Sequence, residues 1–343
     1  MTRTVNKKFK VFWGILMLIM LLLFGTVLEL WNRYTHWGQV SFFRDVDHRL
    51  PSNTDETNAD GIRCQKDAED FQPGDLNIIV LGDSFVYSLY VPRQLAVPQQ
   101  FEALAAARHP DIPINVANFG WISSSPYLSL RLLKDIGAKY HPDVIFLCID
   151  MTDFHDDLVY SSILERPKII YTALHRLPGL TLLLKDNLER FIHYEFIDSL
   201  YEHLFGVPYD RYFLMHRPLE HTTIYTHRII ESINNTYTYA TDTLHAKFIL
   251  TIFPRSFQYR RSDDPQKQEA GAYEVMGPYV YEPFKLFEQL QPDVPYPIYS
   301  LLQHFLDTDV FPTCFPDDPH WNADGCRVAA EGLYNIARQE QIF

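Results

Sequence analysis

Hydrophobic residues fall into three kinds of run along this chain. The first is unbroken: residues 11–28, VFWGILMLIMLLLFGTVL, carry no charge. As a helix that run covers about 27 Å, enough to cross the hydrocarbon core of a bilayer. The second kind is short, apolar and bounded by turn residues, as buried parallel strands require. It occurs at Asn77–Leu81, Ile114–Ala117, Val144–Ile149 and Lys247–Phe253. The third kind reads as helix, at Gln99–Arg108, Pro126–Lys139, Thr226–His245 and Ala323–Gln339. Strands alternating with helices predict a three-layer α/β/α, flavodoxin-like parallel sheet with helices on both faces.

Two stretches interrupt that rhythm. Residues 38–73 are polar, include SNTDETNADG at 52–61, and read as a spacer with little regular structure. From Leu158 the chain is rich in Leu, Tyr, Phe and His, with helical segments around Leu180–Tyr201. This stretch reads as a helical insertion over about 158–240. The expected organisation is a tail (1–10), a transmembrane anchor (11–30), a linker (31–73) and one α/β domain (74–343) carrying the insertion. Arg255–Gln268 reads as a polar loop.

The flanks of the apolar run set its orientation. Arg3, Lys7, Lys8 and Lys10 precede it with no acidic residue among them, which puts the N-terminus in the cytoplasm and the bulk of the chain on the extracytoplasmic side. Trp31, Tyr34 and Trp37 follow, as an interfacial aromatic belt would. A cleaved signal peptide would have a shorter apolar stretch ending in a small-x-small site, and Glu29-Leu30-Trp31-Asn32 offers none. The expectation is therefore a single-pass, uncleaved anchor.

Composition then narrows the classes. With 47% hydrophobic residues in 343, the chain can bury a large core without covalent staples. A formal charge of −13 repels phosphate backbones, so nucleic acid is excluded as an expected partner. Cys64, Cys148, Cys314 and Cys326 match no zinc spacing. Cys314 and Cys326 could pair in an oxidising compartment, and Cys148, in an apolar strand, reads as a buried thiol.

The first strand runs straight into Gly82-Asp83-Ser84. A serine at the C-terminal end of a parallel strand stands where open α/β sheets place their sites. Its hydroxyl needs a base, and Asp317-Asp318-Pro319-His320-Trp321-Asn322 sets acids beside an imidazole on a proline-held turn before the last helix. Asp150, Asp153, His155, Asp156 and Asp157 follow the third strand. They read as a solvated turn whose acids cap the next helix rather than as a metal site. The aromatic residues of the insertion read as core, with a face that stacks on sugar rings or docks onto a membrane partner as the alternative.

These blocks resemble the SGNH (GDSL-type) hydrolase superfamily: Ile79-Val80-Leu81-Gly82-Asp83-Ser84-Phe85, then Asn118-Phe119-Gly120, then Asp318-Pro319-His320-Trp321-Asn322. The anchor and the His-Trp-Asn ending look most like the alginate O-acetyltransferase-like branch. The resemblance implies Ser84 as nucleophile, His320 as general base, and Asp318, or alternatively Asp317, as the carboxylate that orients it. It implies oxyanion donors from the backbone of Ser84 and Gly120. Where the family usually has an asparagine as third donor, this chain has Thr152. The implied activity is a serine esterase or O-acyltransferase acting on an acyl ester of an envelope glycan, with no cofactor and no metal. An integral-membrane acyl-donor system is the implied partner. The alternative is an SGNH-type module without catalysis, serving as a subunit of a membrane complex.

Overall fold

The structure is a computed structural model. It describes residues 2–35, 52–165, 210–259, 278–316 and 318–343, together with Leu177, Leu180, Glu202 and residues 206–208. Two compact units are present: Met1–Val46 with Ile163–Leu200, and Asp47–Ser162 with Tyr201–Phe343.

In the first unit, helix α1 spans Thr2–Thr35. Its Phe9–Asn32 stretch is long and apolar enough to cross a membrane. The expected helices around Leu180–Tyr201 fall almost wholly outside the described residues.

The second unit is built on strands β1 (Leu76–Gly82), β2 (Ile114–Gly120), β3 (Val144–Ile149), β4 (Lys247–Ile252) and β5 (Ile298–Ser300). All pair in parallel, in the order β2-β1-β3-β4-β5. Four of the five were predicted. The fifth has three residues, too few for a recognisable apolar run.

Side chains alternate across the sheet, and each face gathers its own core. Ile78, Val80, Val116 and Phe146 pack under α3 (Val97–Arg108) and the C-terminal helix α11 (Ala323–Gln339). Ile79, Leu81, Phe119 and Leu147 pack under α4 (Pro126–Ile136) and α7 (Leu219–Thr238). Because both faces are covered, the strands are apolar at nearly every position, which is why they appeared as continuous runs. Helix α7 starts earlier than expected, at Leu219, and ends in a π-helical turn at Tyr239–Thr243. It belongs to the covering layer of the sheet, so the rhythm resumes before the end expected for the insertion.

The expected spacer is corrected over its described part. Residues from Ser52 onward fold with the sheet, and Ile62, Cys64 and Phe71 are core side chains. Buried Asn58 donates to the Lys66 carbonyl and to the Tyr140 hydroxyl. The segment reads as polar because local hydrogen bonds among Asn, Asp, Thr and Lys hold it together, with few apolar residues turned inward.

Candidate active site

Strand β1 ends at Gly82, and Ser84 opens α2 (Ser84–Tyr87). In a 2-1-3-4-5 sheet, the gap between β1 and β3 is the switch point where connections leave in opposite directions and a crevice opens. Asp83 caps the short helix, accepting from the Phe85 N–H at 2.9 Å.

Strand β2 must approach this turn closely. A Cβ on Gly120 would lie 2.3 Å from the Tyr87 nitrogen. Asn118 reinforces the approach, its Nδ2 donating to the Val86 carbonyl at 3.2 Å.

The C-terminal block meets the serine across 236 positions of sequence: Ser84 Oγ lies 2.8 Å from His320 Nε2. On the other side of the ring, Nδ1 is hydrogen-bonded to Asp318 Oδ1, which also accepts the His320 N–H at 2.8 Å. Asp318, half-buried, pays a desolvation penalty that the bonds from His320 outweigh, so its carboxyl stays below the usual range. Asp317 lies outside the described residues.

Trp321 fixes the turn. It is buried, donates from Nε1 to the Tyr259 hydroxyl at 3.0 Å, and stacks on Phe305 with Phe85 edge-on. Asn322 caps α11 through the Gly325 N–H.

The expected oxyanion donors are placed differently. Gly120 donates its N–H to Asn118 Oδ1 at 2.9 Å. Thr152 is fully buried, and both its N–H and its hydroxyl donate to Asp150 Oδ1, at 2.6 and 2.7 Å. Both groups are thus engaged inside the protein, because the nearest acceptor is a neighbouring side chain. Ser84 N–H, at the head of α2, is the remaining expected donor.

The acids after β3 are a second correction: Asp150, Asp153 and Asp157 are buried rather than solvated. Ligating atoms of Asp83, Asp150 and Asp153 lie within 4.8 Å of one another. Arg255, which follows β4, supplies the compensating charge: its guanidinium bonds Asp150, and both side chains are buried. Burial opposes ionisation of Asp150, but Arg255 and the Thr152 hydrogen bonds hold its carboxyl below the usual range. Burial, and then the charge of Asp150, push Asp83 well above it. Asp153 is raised by burial and by Asp83 and Asp150, and it accepts the Asp150 N–H at 2.7 Å. With its oxygens taken by Thr152 and Arg255, Asp150 offers little to a cation. The group is an arginine-neutralised acid cluster by chemistry.

Farther along α5 (Asp153–Glu165), Asp156 pairs with Arg211. Asp157 accepts from the Tyr127 N–H and the Ser232 hydroxyl, and burial raises it to about 7.

Cys314 and Cys326, whose pairing the sequence left open, carry no disulfide in this structure. Cys314 lies against the Tyr259 hydroxyl, and Cys326 points at the Trp321 carbonyl. Cys148 is a buried thiol as expected.

Two arginines escaped the sequence reading. Arg255 had a weak signal, since it stands just past a strand's C-terminal end. Arg63 had none, lying in the expected spacer. Its buried guanidinium donates to the carbonyls of Tyr87, Ser88 and Val91, pairs with Glu56 and covers the Tyr87 ring. Within the loop it clamps, Ser88 and Tyr90 have φ of 60° and 66°. Left-handed backbone costs a non-glycine residue roughly 1–2 kcal/mol, which three charge-assisted hydrogen bonds offset.

No protein-family model matches the chain, and no curated protein matches it in sequence. Solved structures do match in shape. One is a member of the lipolytic protein G-D-S-L family from Veillonella parvula, 12% identical, covering 77% of this chain and 99% of its own, at a TM-score of 0.41. A carbohydrate acetylesterase family member from Sinorhizobium meliloti is 10% identical over 77% and 98%, at 0.41. An acetyl-xylooligosaccharide esterase from Geobacillus is 12% identical over 77% and 94%, also at 0.41. Identities this low leave the chemistry to the chain's own side chains.

Proposed function

We propose that this chain is a serine esterase or O-acyltransferase anchored by α1, with its α/β unit on the extracytoplasmic side. The observation that carries the reading is the continuous relay from Ser84 Oγ through His320 to Asp318. Histidine within hydrogen-bond reach of a serine hydroxyl, oriented by a carboxylate on its far nitrogen, is what an activated serine nucleophile needs.

In the proposed cycle, His320 Nε2 takes the Ser84 proton as Oγ attacks an ester carbonyl. Asp318 steadies the imidazolium, and the Ser84 N–H donates to the oxyanion. Collapse expels the alcohol, which receives the proton from His320, and leaves an acyl-serine. A water, or the hydroxyl of a sugar acceptor, then attacks that acyl group with His320 again as base. An acyl ester on an envelope glycan is the proposed substrate, and an integral-membrane acyl-donor system the proposed partner of a transferase. The basic residues in the first turns of α1, ahead of its uncharged run at 11–28, support an N-terminus in the cytoplasm.

A second reading has one observation in its favour: Gly120 N–H and Thr152 Oγ1, two of three expected oxyanion donors, are bonded internally. It makes the chain a non-catalytic subunit of a membrane complex. Fluorophosphonate labelling of the full chain in detergent decides between them. Labelling that disappears in Ser84→Ala and in His320→Ala is the expected result. A folded wild-type chain that takes no label would overturn the enzymatic reading.

A further inference from the structure

Tyr90 is the one residue of the serine loop whose ring is turned outward. It is 65% exposed, whereas Phe85 and Val86 in the same stretch are sealed in the core. Its left-handed φ is held by the Arg63 clamp, which grips the carbonyls of Tyr87, Ser88 and Val91 around it. Strained backbone that is buttressed on purpose tends to mark a site of function. Here the ring stands at the mouth of the relay. Its centroid is 6.1 Å from the His320 ring and 6.1 Å from Phe315, perpendicular to both.

We propose that Tyr90, backed by Phe315, is a stacking platform for a sugar ring of the ester-bearing glycan. This deepens the serine-esterase reading and rests on it. A pyranose presents one face of C–H bonds and a rim of hydroxyls. A flat ring with an apolar body and a polar tip, half in water, suits such a surface. An acyl chain would instead need a continuous apolar groove. In the described part of this unit, the exposed large hydrophobic residues are Tyr90, Leu95 and Ile224, the last on α7. An isolated ring next to the base therefore favours a sugar over a lipid tail. Clamping before binding lowers the ordering cost that a mobile loop would pay.

The test compares two substrates on the full chain in detergent: partially acetylated xylotetraose and 4-nitrophenyl acetate. The readout is the ratio of their kcat/KM values. Tyr90→Ala is expected to lower that ratio about tenfold, through KM for the oligosaccharide, and Tyr90→Trp to restore it. An unchanged ratio would overturn the platform, whether both substrates suffer alike or neither does. So would a wild-type chain that cleaves the aryl acetate and not the oligosaccharide, and in that case the serine reading stands. If neither ester is cleaved and fluorophosphonate does not label, the serine reading itself has failed.

Discussion

Asp83 and Ser84 are neighbours in sequence and belong to two different kinds of polar site. Ser84 faces the crevice, where its hydroxyl, the His320 ring and Asp318 form a chain that is partly open to solvent at the imidazole and the carboxylate. Asp83 faces inward, into a sealed group with Asp150 and Asp153 that Arg255 neutralises. The same residue type behaves oppositely on the two sides. Half-buried Asp318 has its carboxyl lowered by the histidine it orients, while buried Asp83 is pushed up by desolvation and by Asp150. Solvent access and the nearest countercharge, rather than the aspartate itself, decide which acid has its ionised form favoured and which has it disfavoured.

The largest effect should come from breaking the open relay. On the proposed serine-nucleophile reading, Asp318→Asn keeps the shape but removes the charge that would orient the imidazolium, so ester turnover should fall by about 10⁴-fold, as in an established serine triad. Steady-state kinetics on 4-nitrophenyl acetate would read it, with unfolding curves expected to move little. A small kinetic loss would mean that Asp318 is a turn residue only.

Breaking the sealed cluster should show the reverse pattern. Arg255→Met leaves Asp150 as an unpaired buried charge, a loss of about 3–5 kcal/mol. Urea unfolding should register it, and the Arg255→Met, Asp150→Leu double variant should recover part of the loss.

Thr152 sharpens the boundary between the two sites. If its hydroxyl serves Asp150, Thr152→Val costs about 1–2 kcal/mol of stability and leaves kcat within a few-fold. A drop in kcat of about 10²–10³ would show that it turns to an oxyanion during the reaction.

The smallest effect concerns Asp157. Its folded pKa of about 7 lies above the ordinary carboxyl value of 3.8, so the folded state binds the extra proton. That stabilisation is complete below about pH 4 and is lost as pH rises through about 7. Stability should therefore fall by about 1 kcal/mol between about pH 6 and about pH 8, and Asp157→Asn should flatten that decline in thermal unfolding.

Much of the frame was legible in the sequence because it depends on local pattern. Buried strands show as apolar runs, the serine stands at a strand's end, and Asp318-Pro319-His320 carries its own turn. The four longer strands and the last helix fall where those patterns put them. The errors share one cause. Residues 52–73 looked like a spacer, the acids after β3 looked solvated, and Gly120 and Thr152 looked free to donate. In each case a partner distant in sequence, or a fold-dependent choice of acceptor, decided the outcome.

The sequence by itself determined the period of each element, the order of strand and helix, and the residue types offered at each strand's end. These follow from side-chain spacing and turn chemistry within a few residues. Only the tertiary structure decided that His320 meets Ser84 across 236 positions, that Arg255 neutralises Asp150, and that Arg63 holds Tyr90 at the mouth of the site. Burial and charge pairing are properties of neighbours in space, and the folded chain alone sets who those neighbours are.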